Sequence, residues 1–246
     1  MSGHSKWSTI KRKKGALDAK RSALFGKLAR LIEVTARTGS DPSMNFTLKL
    51  AIQKAKAANM PNINIEKAIK KGSGAGKNDS QFEEITYEGL GPGNIAVIIQ
   101  ALTDNKNRTV AEIRNIFTKN GGNFGTSVSW QFEHRGVLQV EKSQKSEEQE
   151  LAIIDSGALD FQDVGDIVEI HTNPKELDAI KTKLEEMGFK VTDISLDLVP
   201  KNKVVINDPV KAKKVLTFLD LIEEHDDVSN VYSNLDVPDE ILNQLQ

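Results

Sequence analysis

The pattern of apolar residues changes once along this chain, near residue 80. Before that point, apolar residues recur at i, i+3, i+4 and i+7, the spacing of amphipathic helices. After it, short apolar runs such as Ile95 to Leu102 alternate with helical segments, which is typical of strands and helices in one sheet-containing unit. The sequence therefore predicts an α+β fold, with an N-terminal three-helix bundle followed by two ferredoxin-like βαββαβ-type domains.

The domain boundaries follow from how the later elements must combine. Residues 82–134 supply only a strand, a helix and further strands, so this unit is incomplete by itself. Residues from about 203 to 240 could return to supply the missing second helix and closing strand. We therefore expect the third domain to be inserted in the second. The expected divisions are a basic helical domain at 1–77, an α/β domain at 78–134 plus 203–246, and an inserted α/β domain at 135–202.

Charge is distributed very unevenly. The whole chain has a net charge of -2, but residues 1–77 hold 17 Lys and Arg against four acids, and the rest holds 16 bases against 31 acids. The first part is thus at +13 and the remainder at -15. A cationic segment of this strength suits a polyanion, because Lys and Arg neutralise phosphates and release their counterions.

The basic residues begin in an N-terminal arm and continue along the first helix. The arm has the unbroken run from Lys11 to Lys14 and one aromatic residue, Trp7. On the helix, the basic residues fall in one stripe beside the apolar face. The simplest alternative is a solvated charged face. The predicted nucleic-acid-binding residues are Lys6, Trp7, Lys11, Arg12, Lys13, Lys14, Lys20, Arg21, Lys27, Arg30 and Arg37.

Two loops are further candidates. Asn105, Asn107, Arg108 and Thr109 lie between a buried strand and a helix, where they form either a turn with an N-cap or a secondary binding loop for an anion. The loop from Gly121 to Gly125 is either a simple helix stop or a flexible loop that exposes Phe124. The residues alone leave both choices open.

No motif in the sequence indicates an enzyme. The linker from Gly72 to Ser80 contains Gly76-Lys77 but lacks the first Gly and the Ser or Thr of a phosphate loop, so it predicts a hinge without ligand. The chain has no cysteine, and its four histidines do not share a metal-ligand spacing. We expect no catalytic residue, cofactor, metal or small-molecule substrate. With no apolar run of membrane length and no apolar leader, we expect a cytoplasmic protein that has no membrane partner.

Several motifs occur together and in order: Gly3-His4-Ser5-Lys6-Trp7, Ala19-Lys20-Arg21, Tyr87-Glu88-Gly89, Leu102-Thr103-Asp104-Asn105, Asn107-Arg108-Thr109 and Gly121-Gly122-Asn123-Phe124-Gly125. In these the chain resembles the YebC/PmpR family, which includes the mitochondrial translational activator of cytochrome oxidase subunit I. The resemblance implies three domains, with the third inserted in the second, and a cytoplasmic, non-enzymatic protein. The loop after Ser127 is two residues shorter than is usual in the family.

Two functions remain open at this point. Family members are described as probable DNA-binding transcriptional regulators, and others as translation factors that relieve ribosome stalling at proline-rich stretches. The partner implied is therefore DNA, or ribosomal RNA and possibly the ribosome. The exposed basic face is mostly lysine, which contacts phosphate as a point charge and carries little sequence information. The residues alone favour RNA, whereas the family description favours a DNA-binding regulator.

Overall fold

The computed structural model describes residues 17–74, 82–143 and 146–245, with side chains of the first helix from Arg21 and of the fifth from Glu147. Its elements in chain order are α1 (Leu17–Ala36), α2 (Phe46–Ala57), α3 (Asn62–Gly72), β1 (Glu83–Leu90), β2 (Ala96–Thr103), α4 (Lys106–Lys119), β3 (Asn123–Phe124), β4 (Phe132–Glu141), α5 (Ser146–Ser156), β5 (Asp160–Val164), β6 (Ile167–Thr172), α6 (Leu177–Glu186), β7 (Val191–Pro200), β8 (Val204–Val205), α7 (Pro209–Glu223), β9 (Val228–Ser233), β10 (Leu235–Asp236) and α8 (Asp239–Gln244). This mixture of helices and antiparallel sheets confirms the α+β fold.

Helices α1, α2 and α3 form the N-terminal bundle around one apolar core. Leu28 and Ile32 of α1 pack with Leu48 of α2 and Ile65 of α3, all of them buried. Helix α3 crosses close to α1 at Gly72, where an added Cβ would lie 2.1 Å from the carbonyl oxygen of α1 residue Glu33. Any side chain at position 72 would push the two helices apart, because that distance is far inside van der Waals contact.

The start of α2 is capped by Asn45. Ser43, two residues earlier, is also of a type that caps helices. It is the side-chain oxygen of Asn45, however, that accepts the hydrogen bond from the backbone N–H of Leu48 at 3.1 Å. The amide nitrogen of Asn45 also donates to the carbonyl oxygens of Thr35 and Gly39. Asn45 is therefore preferred because it satisfies the end of α1 and the start of α2 together.

The first sheet has the strand order β3-β1-β2-β9 and is antiparallel throughout. Helices α4 and α7 cover one face, where the rings of Phe117 and Phe218 meet edge to face at 5.0 Å. The other face packs Ile98 of β2 near Phe132 and Leu198. Strand β2 is therefore covered on both sides, which explains its nearly continuous apolar sequence. In chain order this unit starts with a hairpin, so it differs from the expected βαββαβ order.

The second sheet, with the order β5-β6-β4-β7, lies between β3 and β9 in sequence and follows the expected βαββαβ pattern. Its first strand, β4, runs unbroken through residues 134–136, across the domain boundary expected between residues 134 and 135. An added Cβ on Gly136 would lie 2.3 Å from Thr172 Oγ1 on the neighbouring strand, so glycine permits the close pairing there. Since β4 begins at Phe132, we propose that the inserted domain starts at that residue instead of at residue 135.

Candidate nucleic-acid interface

The basic side of α1 packs against the end of α7. The Nζ of Lys27 donates a hydrogen bond to the carbonyl oxygen of Glu223 at 2.5 Å, and Nη1 of Arg30 donates to that of Asp226 at 2.9 Å. Burial lowers the pKa of Lys27, although the nearby carboxylate of Glu223 opposes this effect. Two side chains predicted to bind nucleic acid thus connect the bundle to the first sheet's domain.

Arg37 makes a third connection of the same kind. Its Nη1 donates to the carbonyl oxygen of Phe82 at 2.7 Å, directly before β1. The guanidinium of Arg30 lies 5.5 Å from the centroid of the Phe82 ring, within the range of a cation–π contact. The residue that leads into the first sheet is therefore held by Arg30 of α1 and by Arg37, the residue directly after that helix.

Asp227 is the centre of this junction, and its side chain is only 5% exposed. Its Oδ2 accepts hydrogen bonds from Arg108 Nη2 at 2.7 Å and from the hydroxyls of Thr109 and Thr103 at 2.7 and 3.1 Å. Its Oδ1 lies 3.2 Å from Arg30 Nη1. Burial would raise the pKa of Asp227, but these hydrogen bonds, first those of Arg108 and Thr109, outweigh it and lower that pKa.

The predicted secondary binding loop takes part in the same junction. The side-chain oxygen of Asn105 accepts from the backbone N–H of Arg108 at 3.1 Å, which caps α4. Arg108 also pairs with Asp104 at 3.1 Å, and its hydrogen bond to the buried carboxylate raises its pKa. Thr109 is fully buried, whereas Asn107 is exposed. This geometry is that of a turn with an N-cap.

The loop from Gly121 to Gly125 ends α4. Gly121 has a φ of 77°, and the N–H of Gly122 donates to the carbonyl oxygen of Phe117 at 2.8 Å. Such a left-handed residue after the last turn is a common helix stop. Phe124 is half-buried, with its ring 5.5 Å from that of Phe117. The geometry therefore favours the helix-stop interpretation over an exposed aromatic tip.

A different set of cations lies on the surface of α2 and α3. Lys56, Lys67 and Lys70 are exposed. Within residues 17–74, 82–143 and 146–245, none of these three has an ion-pair partner. Arg21 of α1 is also exposed, and its guanidinium lies 5.4 Å from the centroid of the Phe25 ring. These side chains carry positive charge that the described part of the protein does not neutralise.

The predicted binding residues thus separate into three groups. Residues 6, 7 and 11–14 lie outside the described residues, as do the side chain of Lys20 and the Gly76-Lys77 segment. Lys27, Arg30 and Arg37 contact oxygens of the first sheet's domain. Arg21, the fourth predicted side chain that the structure describes, is exposed and lies beside the Phe25 ring instead.

Sequence reasoning missed Asp227 and the lysines of α3. Asp227 lies in the acidic run that ends α7, where solvated acids are the ordinary expectation. One signal was available: it directly precedes the buried Val228, and an acid beside a buried strand needs partners. Lys67 and Lys70 belong to no motif, and single lysines on a short helix are ordinarily part of a solvated face.

Among the described residues, His, Asp and Glu form no group of three or more with the geometry to hold a metal ion. No helix in that part of the chain has the length and apolar content to cross a bilayer.

Comparison with known families identifies the group to which the chain belongs. The model of the TACO1/YebC protein N-terminal domain matches residues 5–75, and that of the TACO1/YebC second and third domain matches residues 82–235. Together they cover most of the chain. This protein therefore belongs to the TACO1/YebC family, which confirms the resemblance seen in its motifs.

Individual relatives support this assignment over the full length. A protein from Halothermothrix orenii is 47% identical over 100% of this chain and 99% of its own, and one from Dictyoglomus thermophilum is 49% identical over 100% of both. Both are named "probable transcriptional regulatory protein". The crystal structure of a conserved hypothetical protein from Aquifex aeolicus, 45% identical, matches with a TM-score of 0.82 over 92% of this chain and 95% of that one. The family is thus one of regulatory proteins.

Proposed function

We propose that this protein is a non-enzymatic, cytoplasmic regulator that binds nucleic acid through its basic N-terminal part, and that its target is DNA, as for a transcriptional regulator. The observation that carries the proposal is the group of exposed lysines, Lys56, Lys67 and Lys70, which have no ion-pair partner within the described residues. Unpaired surface cations are free to exchange counterions for phosphates. The basic arm, with Lys11 to Lys14, adds charge of the same sign.

The acidic remainder of the chain supports this assignment by contrast. At -15, residues 78–246 repel a polyanion over most of their surface, so the phosphate backbone is attracted only by the N-terminal part. The secondary loop supports the proposal less than the bundle does, because Arg108 is engaged with Asp227 and Asp104. We therefore propose that this loop acts mainly by holding the bundle in place.

One observation favours ribosomal RNA as a second candidate. Reading base edges in duplex DNA normally requires free Arg, Asn or Gln side chains on a helix that enters the major groove. Arg30 and Arg37 are instead bound to oxygens within the protein, and the exposed cations of α2 and α3 are lysines. A lysine surface recognises phosphate positions and shape, which is how structured RNA is commonly bound.

Salt-dependent binding tests the proposal. Replacing Lys67 and Lys70 by Gln should reduce the slope of log affinity against log salt for duplex DNA by about 1.8, since each lost phosphate contact is worth about 0.9. The matched control replaces Lys211 and Lys213 by Gln, two exposed lysines of α7 in the acidic part. That variant should keep the native slope. Equal slopes for all three proteins would refute the role of α3.

The choice of target is tested in the same titration. Native protein is measured against a duplex DNA and a folded ribosomal RNA fragment of equal charge at each salt concentration. Tighter binding to duplex DNA supports the transcriptional assignment, and tighter binding to the RNA supports the alternative. Absence of binding to either at low salt would overturn the proposed function.

A further inference from the structure

An open groove of about 470 Å³ lies between α1 and α3 beside the start of the first sheet. This volume is within the roughly 300 to 1,000 Å³ range of small-molecule sites. Its floor is apolar, with Ala29 from α1 and Ala68 from α3, and its sides include the rings of Phe25 and Phe82. Both rings are half-buried. Arg21 lies 5.4 Å from the centroid of the Phe25 ring, and Arg30 and Lys71 lie 5.5 and 5.7 Å from that of Phe82, so a base would contact the ring surface that these cations leave open.

Small residues line part of this groove. Gly26 lies in α1, and an added Cβ there would have no neighbouring atom of another element within 4 Å. At Gly72, in contrast, α3 lies directly against the carbonyl oxygen of Glu33 in α1. Position 26 can therefore accept a side chain, whereas position 72 cannot.

The charge around the groove is positive. Lys67 and Lys71 line it from α3, and Arg30 lines it from α1. The acid in its lining is Glu33, which is 7% exposed and paired with Lys71 at 2.9 Å. Lys67, in contrast, has no ion-pair partner among the residues the structure describes. A negatively charged group at the rim would therefore be attracted first to Lys67.

We infer that this groove binds one unpaired nucleotide of a single-stranded nucleic acid, with its base against the aromatic and apolar walls and its phosphate at Lys67. Aromatic rings stack on every type of base, and a neighbouring cation contacts the backbone, so this combination binds single strands without strong sequence preference. Bases within a duplex are paired and stacked and cannot enter. The inference rests on the proposed function and adds a preference for unpaired strands, whether DNA or RNA.

Filling the groove without changing its charge tests this inference. Gly26→Leu places a side chain in the open space, whereas Gly26→Ala adds one carbon and serves as the matched control. Both should fold, because the position is exposed and Ala and Leu favour helices more than Gly does. With labelled ten-residue oligo-dT and oligo-U as probes, we expect Gly26→Leu to bind about tenfold more weakly than native protein. Its affinity for duplex DNA should stay within about twofold, since all cations are kept.

A second pair of variants tests the phosphate contact. Lys67→Gln should weaken binding of the oligonucleotides more than Lys56→Gln does, although each removes one exposed lysine from the bundle. The ratio of oligo-dT to oligo-U affinity shows whether the groove accepts DNA, RNA or both. Melting curves for every variant identify any loss of fold.

The outcomes separate this inference from the proposed function. If native protein binds neither the oligonucleotides nor the duplex, the proposed function fails and the groove with it. If native protein binds nucleic acid but folded Gly26→Leu binds the oligonucleotides as tightly as Gly26→Ala, the inference alone is wrong. If Gly26→Leu loses affinity for the oligonucleotides but keeps its affinity for duplex DNA, the inference is supported.

Discussion

The helical bundle carries basic residues on two sides, and the contacts of those residues differ between the sides. On the side that faces the first sheet's domain, Lys27 and Arg30 each contact a protein oxygen. On the surface of α2 and α3, Lys56, Lys67 and Lys70 have no ion-pair partner within the described residues. A basic residue therefore indicates a binding surface only where its charged group does not already contact an oxygen of the protein.

This difference has an energetic basis. At the junction, Asp227 is nearly buried, and a buried carboxylate is tolerated only with hydrogen-bond partners. A phosphate that approached Arg30 or Arg108 would have to share the guanidinium with that carboxylate. A solvated lysine on α3 releases only counterions and water when a phosphate arrives. The junction should therefore determine stability, and the lysine surface should determine affinity.

The largest effect is expected for Asp227→Asn, which tests whether the junction determines stability. The substitution keeps the shape of the side chain but removes the charge that Arg30 and Arg108 share. We expect the free energy of unfolding to fall by about 2–3 kcal/mol, as for hydrogen bonds to charged groups in a nearly buried site. Urea denaturation monitored by circular dichroism measures this change.

The neighbouring residue supplies the control. Asp226 is exposed, and its carbonyl oxygen, not its side chain, accepts the hydrogen bond from Arg30. Asp226→Asn removes the same charge and should change stability by less than about 0.5 kcal/mol. If both variants unfold at the same urea concentration, Asp227 does not hold the junction together.

A smaller effect is expected for Arg108→Ala. Asp227 would lose one partner but keep Arg30 and the two threonine hydroxyls, so the melting temperature should fall less than for Asp227→Asn. The slope of affinity against salt should match that of native protein, because the lysine surface is intact. Asn107→Ala, at the exposed neighbouring position, is the control for a simple loop change.

The opposite result for Arg108→Ala would restore the binding-loop hypothesis. A variant that melts like native protein but binds nucleic acid more weakly or regulates poorly would show that Arg108 contacts the ligand. A less stable variant with native affinity would show that it braces the strand-to-helix turn. The two measurements together decide between the interpretations.

Much of the fold could be predicted because local patterns and final packing agree. Leu28 and Ile32 follow the i, i+4 spacing of an amphipathic helix, and both are buried on α1. Asp208-Pro209 is a typical helix start in sequence, and α7 does begin there, where Asp208 accepts a hydrogen bond from the N–H of Lys211 at 2.9 Å. In such cases, residues within one turn of each other contain all the information required.

Local sequence is insufficient where a distant residue decides. Strand β4 continues through Gly136 because it pairs there with Thr172 of β6 and Leu196 of β7, and no residue near position 136 indicates those pairings. The sequence likewise does not show that Lys27 contacts the carbonyl oxygen of Glu223, which is 196 positions away. The charge pattern could predict which third of the chain is basic, but only the packing of α1 on α7 shows which cations are satisfied.

The smallest predicted effect concerns Glu88, a carboxylate away from the junction. Its contribution to stability at low pH can be measured separately from that of Asp227. Glu88 of β1 accepts hydrogen bonds from the backbone N–H groups of Val128 and Ser129, both at 2.7 Å. Burial would raise the pKa of Glu88, but these hydrogen bonds outweigh it and lower the pKa below its ordinary 4.5. We expect Glu88→Gln to cost about 1 kcal/mol near pH 7.

The pH dependence of that cost tests its cause. A carboxyl whose pKa is lower in the folded state stabilises the fold above its unfolded pKa, and this contribution is lost as pH falls through the folded value. The stability difference between native protein and Glu88→Gln should therefore be constant from about pH 6 to 7 and shrink below about pH 4.5. Asp227→Asn should follow the same course from about pH 3.8 downward, with a larger amplitude. If the stability difference between native protein and Glu88→Gln persists unchanged at pH 3, the charge of Glu88 does not anchor the loop after β3. The acid sensitivity of the fold would then be due to other groups, Asp227 among them.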